Sequence, residues 1–134
     1  METSYTIELS DVAEGVYARI FDDAQACLQR GDEGNSKVKQ LRIVDEALDR
    51  IIPHDPFAPD RALAGSLSGI FRIKKGRLRI CYVGSSKTRK IIVLYILDTP
   101  RKEGDSRDPY QILTRLVKSG KFDQILGSLG LKKN

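Results

Sequence analysis

Residues 72–79 read Arg-Ile-Lys-Lys-Gly-Arg-Leu-Arg, five cations interleaved with apolar residues around one glycine. This stretch predicts a β-hairpin. Glycine tolerates the positive backbone dihedral that a two-residue hairpin loop demands, and the expected loop is Lys75-Gly76. Lys74 then lies opposite Arg77, Ile73 opposite Leu78, and Arg72 opposite Arg79. Successive strand side chains point to opposite faces. Phe71, Ile73, Leu78 and Ile80 are therefore expected on one face, with Arg72, Lys74, Arg77 and Arg79 on the other. Like charges facing each other destabilise a sheet. A patch of this kind calls for a compensating polyanion, RNA or DNA.

Working outward, residues 77–84 and 89–97 continue the hairpin into a second and third strand. The third, Lys-Ile-Ile-Val-Leu-Tyr-Ile-Leu, is apolar on both faces and is expected to be the most buried. Towards the N-terminus, Tyr5 to Leu9 alternates as a strand does. Asp11 with Glu14 resembles a capping box ahead of Val16, Ile20, Ala24 and Leu28, with Tyr17 and Phe21 widening the stripe. Gly31 to Asn35 stops that helix. Ser36 is expected to cap a second, carrying Leu41, Val44, Leu48 and Ile51 inward and ending at Pro53. The short connection favours an antiparallel helical hairpin. Towards the C-terminus, Asp108-Pro109 with Gln111 predicts a helix start. Ile112, Leu113, Leu116 and Val117 form its apolar stripe, and Gly120 its end.

The order is strand, two helices, three strands, then one or two helices. It implies an α+β fold with a small, mostly antiparallel sheet. A single domain over residues 1–134 is expected, with about 121–134 as an additional C-terminal helical segment. That length can bury a modest core without disulfide or metal staples. Cys27 and Cys81 have no redox or metal-ligand spacing, and the only histidine, His54, sits in Pro-His-Asp-Pro. No metal or cofactor is expected from these. No apolar run approaches the ~20 residues of a membrane span, and no signal peptide is visible at the start. The expected location is the cytoplasm.

The net charge of +5 conceals an asymmetry. Residues 1–67 hold 7 Lys/Arg against 13 Asp/Glu, whereas residues 68–134 hold 16 against 5. A basic half of this kind points to nucleic acid. Other chemistries fail on their motifs. Gly65-Ser66-Leu67-Ser68-Gly69 lacks the central serine of a nucleophile elbow. No glycine-rich Lys-Ser/Thr phosphate loop occurs. The hairpin pattern, in contrast, extends into Arg101-Lys102 and then Tyr110, in the first turn of a capped helix.

With those residues in view, the chain resembles the RelE/ParE-type toxins of bacterial type II toxin–antitoxin systems. The resemblance covers residues 5–112 in element order. It is most specific in Leu63-Ala-Gly-Ser-Leu-Ser-Gly-Ile-Phe-Arg-Ile-Lys and in Arg77-Leu-Arg-Ile-Cys-Tyr, followed by the apolar strand, Arg101 and Tyr110. The RelE-type pattern falls on Arg72 and Lys74, Arg79, Arg101 and Tyr110, with Arg72 standing where lysine is usual. ParE-type members share the fold but generally lack this set, so the likeness favours the RelE branch.

What the resemblance implies is an mRNA interferase, a metal-independent endoribonuclease that inhibits translation. It would cut message in the ribosomal A site by attack of a 2′-OH on the adjacent phosphate. The implied catalytic residues are Lys74, Arg79, Arg101 and Tyr110, with Arg72, Lys75, Arg77 and Lys102 contacting RNA. Fixed cations suit a phosphate that gathers charge in its transition state, and like charge crowded around Lys74 suits it to proton transfer. The implied partners are mRNA, the ribosome and a cognate antitoxin in a hetero-oligomer, with no membrane. Two other readings accommodate the cations. One is a ParE-like poison of a topoisomerase without ribonuclease activity, and the other is a non-catalytic RNA-binding module.

Overall fold

Six consecutive buried residues, 91–96, mark the centre of the molecule. They belong to β4, Lys90–Asp98, in a computed structural model that describes residues 5–98 and 108–130. The described elements are β1 (Thr6–Leu9), α1 (Asp11–Gln29), α2 (Ser36–Glu46), α3 (Ile52–His54), β2 (Phe71–Lys75), β3 (Leu78–Ser85), β4, α4 (Pro109–Lys118) and α5 (Asp123–Ser128). The sheet runs β1-β4-β3-β2. β1 joins β4 in parallel, and the two other pairings are antiparallel. The expected α+β architecture is therefore present, and β4 is apolar on both faces because helices cover both.

On one face, α1 and the α2 region close over Ile73, Leu78, Ile80, Tyr82, Ile91, Val93 and Ile96. On the other, α4 and α5 bring Leu113, Val117, Phe122 and Leu126 onto Cys81, Val83, Ile92, Leu94 and Tyr95. A bulge between Cys81 and Tyr82 changes the phase of β4. Cys81 pairs with Tyr95 but Tyr82 pairs with Val93, so Leu94 is the extra residue. A bulge re-aims the side chains beyond it, and here it turns Tyr95 and Leu97 to the α4 side.

Several local expectations are corrected. The cap of α1 is Ser10, whose Oγ accepts from the Ala13 N–H, rather than an Asp11–Glu14 box. The same Ser10 Oγ donates to the Leu94 carbonyl at 2.8 Å, tying α1 to β4. Cys27 is buried in place of Leu28, which is 37% exposed, and Phe21 is 40% exposed. Asn35, not Ser36, caps α2 through the Lys37 N–H. That helix regularises only to Glu46 and continues as a π-helical turn over Ala47–Ile51. The helical hairpin itself holds, latched by Tyr17 Oη donating to Asp45 Oδ1 at 2.7 Å. Asp108 caps α4 as expected, accepting from the Tyr110 N–H at 3.0 Å. Gly120, at φ 85°, follows that helix.

Candidate functional site

The β2–β3 hairpin forms, but its loop is Gly76-Arg77 and not Lys75-Gly76. Lys75 pairs with Leu78, Lys74 with Arg79, Ile73 with Ile80, Arg72 with Cys81 and Phe71 with Tyr82. The physical reason is the left-handed residue. Gly76 has φ 58° and takes the first central position, the glycine-first pattern of a type II′ turn. A Lys75-Gly76 loop would put lysine in that conformation, at a cost glycine avoids. Moving the loop by one residue changes the register by two, and two is the strand period. Arg72, Lys74 and Arg79 therefore still share a face. Arg77 does not; it lies in the loop and is exposed.

The three cations differ in setting. Arg79 is only 6% exposed, and its Nη1 donates to the Gly76 carbonyl at 2.9 Å and to the Leu78 carbonyl at 3.4 Å. Arg72 is half-buried and Lys74 exposed. Among the described residues, Nε of Arg72 and Nε of Arg79 are shielded from solvent and have no acceptor. An unsatisfied buried donor costs ~1–3 kcal/mol, which an anion presented to this face would relieve. Lys75 projects from the hairpin tip on the opposite side, with Ile73 and Leu78. Tyr110 is half-buried in the core on the Arg72 side, in the first turn of α4. Arg101 and Lys102 fall outside the described residues.

Cys81 lies between the two arginines. Burial pushes its thiol up to about 12, against the opposing pull of Arg72 and Arg79. It therefore stays protonated near neutral pH and is not a nucleophile. Burial also raises the Tyr95 hydroxyl, Cys81 adding to the effect and Arg115 opposing it. Arg115 on α4 is thus a further cation on this side of the sheet.

A cleft of about 300 Å³ runs along β2, lined by Asp60 and Arg61 together with Arg72, Lys74 and Lys75. Arg61 Nη1 donates to the Asp55 carbonyl at 2.8 Å, which fixes the segment leading into the hairpin. Sequence reasoning missed Arg61, Asp60 and Arg115. None stands at strand spacing from the hairpin, and only chain folding brings them to it. Among the described residues, no group of three or more His, Cys, Asp or Glu is placed to hold a metal. No helix among them is long and apolar enough to cross a membrane.

Comparison with known proteins places the chain in a family. The family model of the YhaV toxin, described as a toxin with endonuclease activity, of toxin–antitoxin system, matches residues 13–133. Among solved structures, the chain is similar to one in the RelBE2 toxin–antitoxin complex from Mycobacterium tuberculosis. That match has a TM-score of 0.49 and 17% identity, and covers 73% of this chain and 94% of that one. No curated protein matches the sequence.

Proposed function

The chain belongs to the YhaV family, toxins with endonuclease activity from toxin–antitoxin systems, and on that premise we propose that it cleaves messenger RNA in the ribosomal A site. The observation that carries this reading is the shared sheet face of Arg72, Lys74 and Arg79, with two guanidinium Nε–H donors unsatisfied there among the described residues.

In the proposed reaction, the ribose 2′-oxygen attacks the neighbouring phosphorus as its proton is removed. The bond from phosphorus to the 5′-oxygen breaks, and that oxygen takes up a proton. The products are a 2′,3′-cyclic phosphate and a free 5′-hydroxyl. Arg79 and Arg101 stabilise the phosphorane, because an arginine stays charged and grips two oxygens at once. Lys74, exposed and paired across the hairpin with Arg79, moves a proton. Tyr110 orients the nucleotide from the first turn of α4. Arg72, Lys75, Arg77 and Lys102 hold the RNA backbone. These cations supply the charge stabilisation themselves, so the scheme runs without a metal. Positioning of the message by the ribosome supplies much of the rate. An antitoxin with an acidic segment covers the cationic face in the resting hetero-oligomer, in the cytoplasm.

Primer extension on total RNA after induction tests the reading. New 5′ ends within messages are expected for the wild type, and none, with normal growth, for Arg79→Ala. Continued arrest by a folded Arg79→Ala protein would remove the assigned site, and arrest without new ends would remove the nuclease.

A further inference from the structure

Beyond the tip of the hairpin lies a second, larger cleft, about 470 Å³, between β2–β3 and the first turns of α2. Lys37, Lys39 and Ile43 line it from the helix, Lys75 and Arg77 from the hairpin. No carboxylate is among the described residues lining it. This is unexpected on an otherwise acidic helical hairpin, since residues 1–67 carry only 7 Lys/Arg and two of them are gathered here. The Asp45 and Glu46 charges stand at the other end of α2. The N-terminus of α2, at Ser36, lines the same cleft and adds the partial positive charge of a helix start. Lys37 also meets Asp23 at 3.4 Å, but both side chains are about half exposed. Such a pair contributes little and yields readily to a competing anion.

Lys75 lines both clefts. Cations therefore follow one another from Arg61, Arg72 and Lys74, with Asp60 among them, over Lys75 and Arg77, to Lys37 and Lys39. Regular spacing of negative charge along a flexible chain is the property of a single-stranded nucleic acid backbone. Ile43, 39% exposed, offers an apolar surface on which one base can rest. We propose that the cleft between α2 and the hairpin is a subsite for the RNA strand continuing from the reacting phosphate, gripping backbone away from the bond that breaks. The proposal rests on the reading of the protein as an RNA-cleaving toxin and adds to it a length requirement on the substrate.

Fluorescence anisotropy with fully 2′-O-methylated single-stranded RNA, which cannot be cleaved by 2′-OH attack, tests it. The probes are a trinucleotide and a dodecanucleotide, with an RNA duplex and polyglutamate beside them, and the proteins are wild type, Lys37→Gln/Lys39→Gln and Lys37→Arg/Lys39→Arg. The double variant is expected to bind the dodecanucleotide about tenfold more weakly, and its salt slope should shrink by about 1.4, as for two lost single-strand phosphate contacts. Trinucleotide affinity should stay the same, and Lys37→Arg/Lys39→Arg should restore the longer probe. Equal losses on both probes, or no loss, would overturn the proposal. So would a loss confined to an RNA duplex, which assigns the cleft to structured RNA, or one confined to polyglutamate, which assigns it to an acidic protein segment. Cleavage of unmodified message by the wild type is measured alongside. Its failure counts against the nuclease reading alone, because binding of the blocked probes is read without turnover.

Discussion

The guanidinium of Arg79 lies almost wholly out of solvent, with Nη1 on the Gly76 carbonyl at 2.9 Å and Nε unsatisfied among the described residues. One side chain thus holds the hairpin loop while keeping a donor for a ligand. Lysine carries the same charge but cannot do both, having a single nitrogen and no planar fork. Arg79→Lys is therefore expected to lower single-turnover RNA cleavage by roughly 10²–10³, the range seen when one transition-state donor is removed. A folded Arg79→Lys protein with wild-type cleavage would show that charge alone suffices. The residue type and its face were legible from alternation in 72–79. Its burial was not, because alternation says which way a side chain points and nothing about what covers it. Arg61, which lines the cleft along β2 with Arg72 and Lys74 from outside the hairpin, left no linear signal at all.

Among the elements, α1 depends on a contact that no local pattern discloses. Ser10 is buried, caps the helix through the Ala13 N–H at 3.1 Å, and donates to the Leu94 carbonyl at 2.8 Å. Ser10→Ala removes the cap and leaves that carbonyl short of a partner. A loss of about 1–3 kcal/mol is expected, read as a lower urea midpoint at unchanged m-value. An unchanged midpoint would show that neither bond contributes. Serine and aspartate cap a helix about equally well, so the Asp11–Glu14 spacing pointed to Asp11, whereas the bond to Leu94, 84 residues away, comes with Ser10. The hairpin teaches a related lesson. Lys75-Gly76 and Gly76-Arg77 are both two-residue loops around the same glycine, and the strain at its left-handed position selects the second. The faces of Arg72, Lys74 and Arg79 were nevertheless legible, since both loops give them the same parity.

At the level of the whole molecule, four buried or half-buried groups among the described residues are shifted in the same direction. Burial raises Cys81 from 9.0 to about 12 and is also the leading cause for Tyr82 and Tyr95. Tyr17 rises from 10.0 to about 12 through burial first and then its bond to Asp45. Each folded-state value lies above the unfolded one, so the unfolded chain binds fewer protons once pH exceeds the unfolded values. Stability is then fully present below about pH 9 and is lost as pH climbs towards 12. Thermal melts should show a flat Tm from pH 7 to 9 and a steep fall above, less steep in Cys81→Val. A Tm independent of pH up to 11 would contradict the burial of these groups. By itself the sequence determined the order of elements, the antiparallel hairpin, the buried central strand and the side of the sheet that carries the cations. Those follow from period, turn chemistry and composition, which act over a few residues. Only the tertiary structure decided the bulge that turns Tyr95 towards α4, the meeting of Arg61 with Arg72, and the joining of Lys37 and Lys39 to the hairpin through Lys75. These depend on how separate segments pack, and packing energy is shared among residues too distant along the chain to leave a pattern.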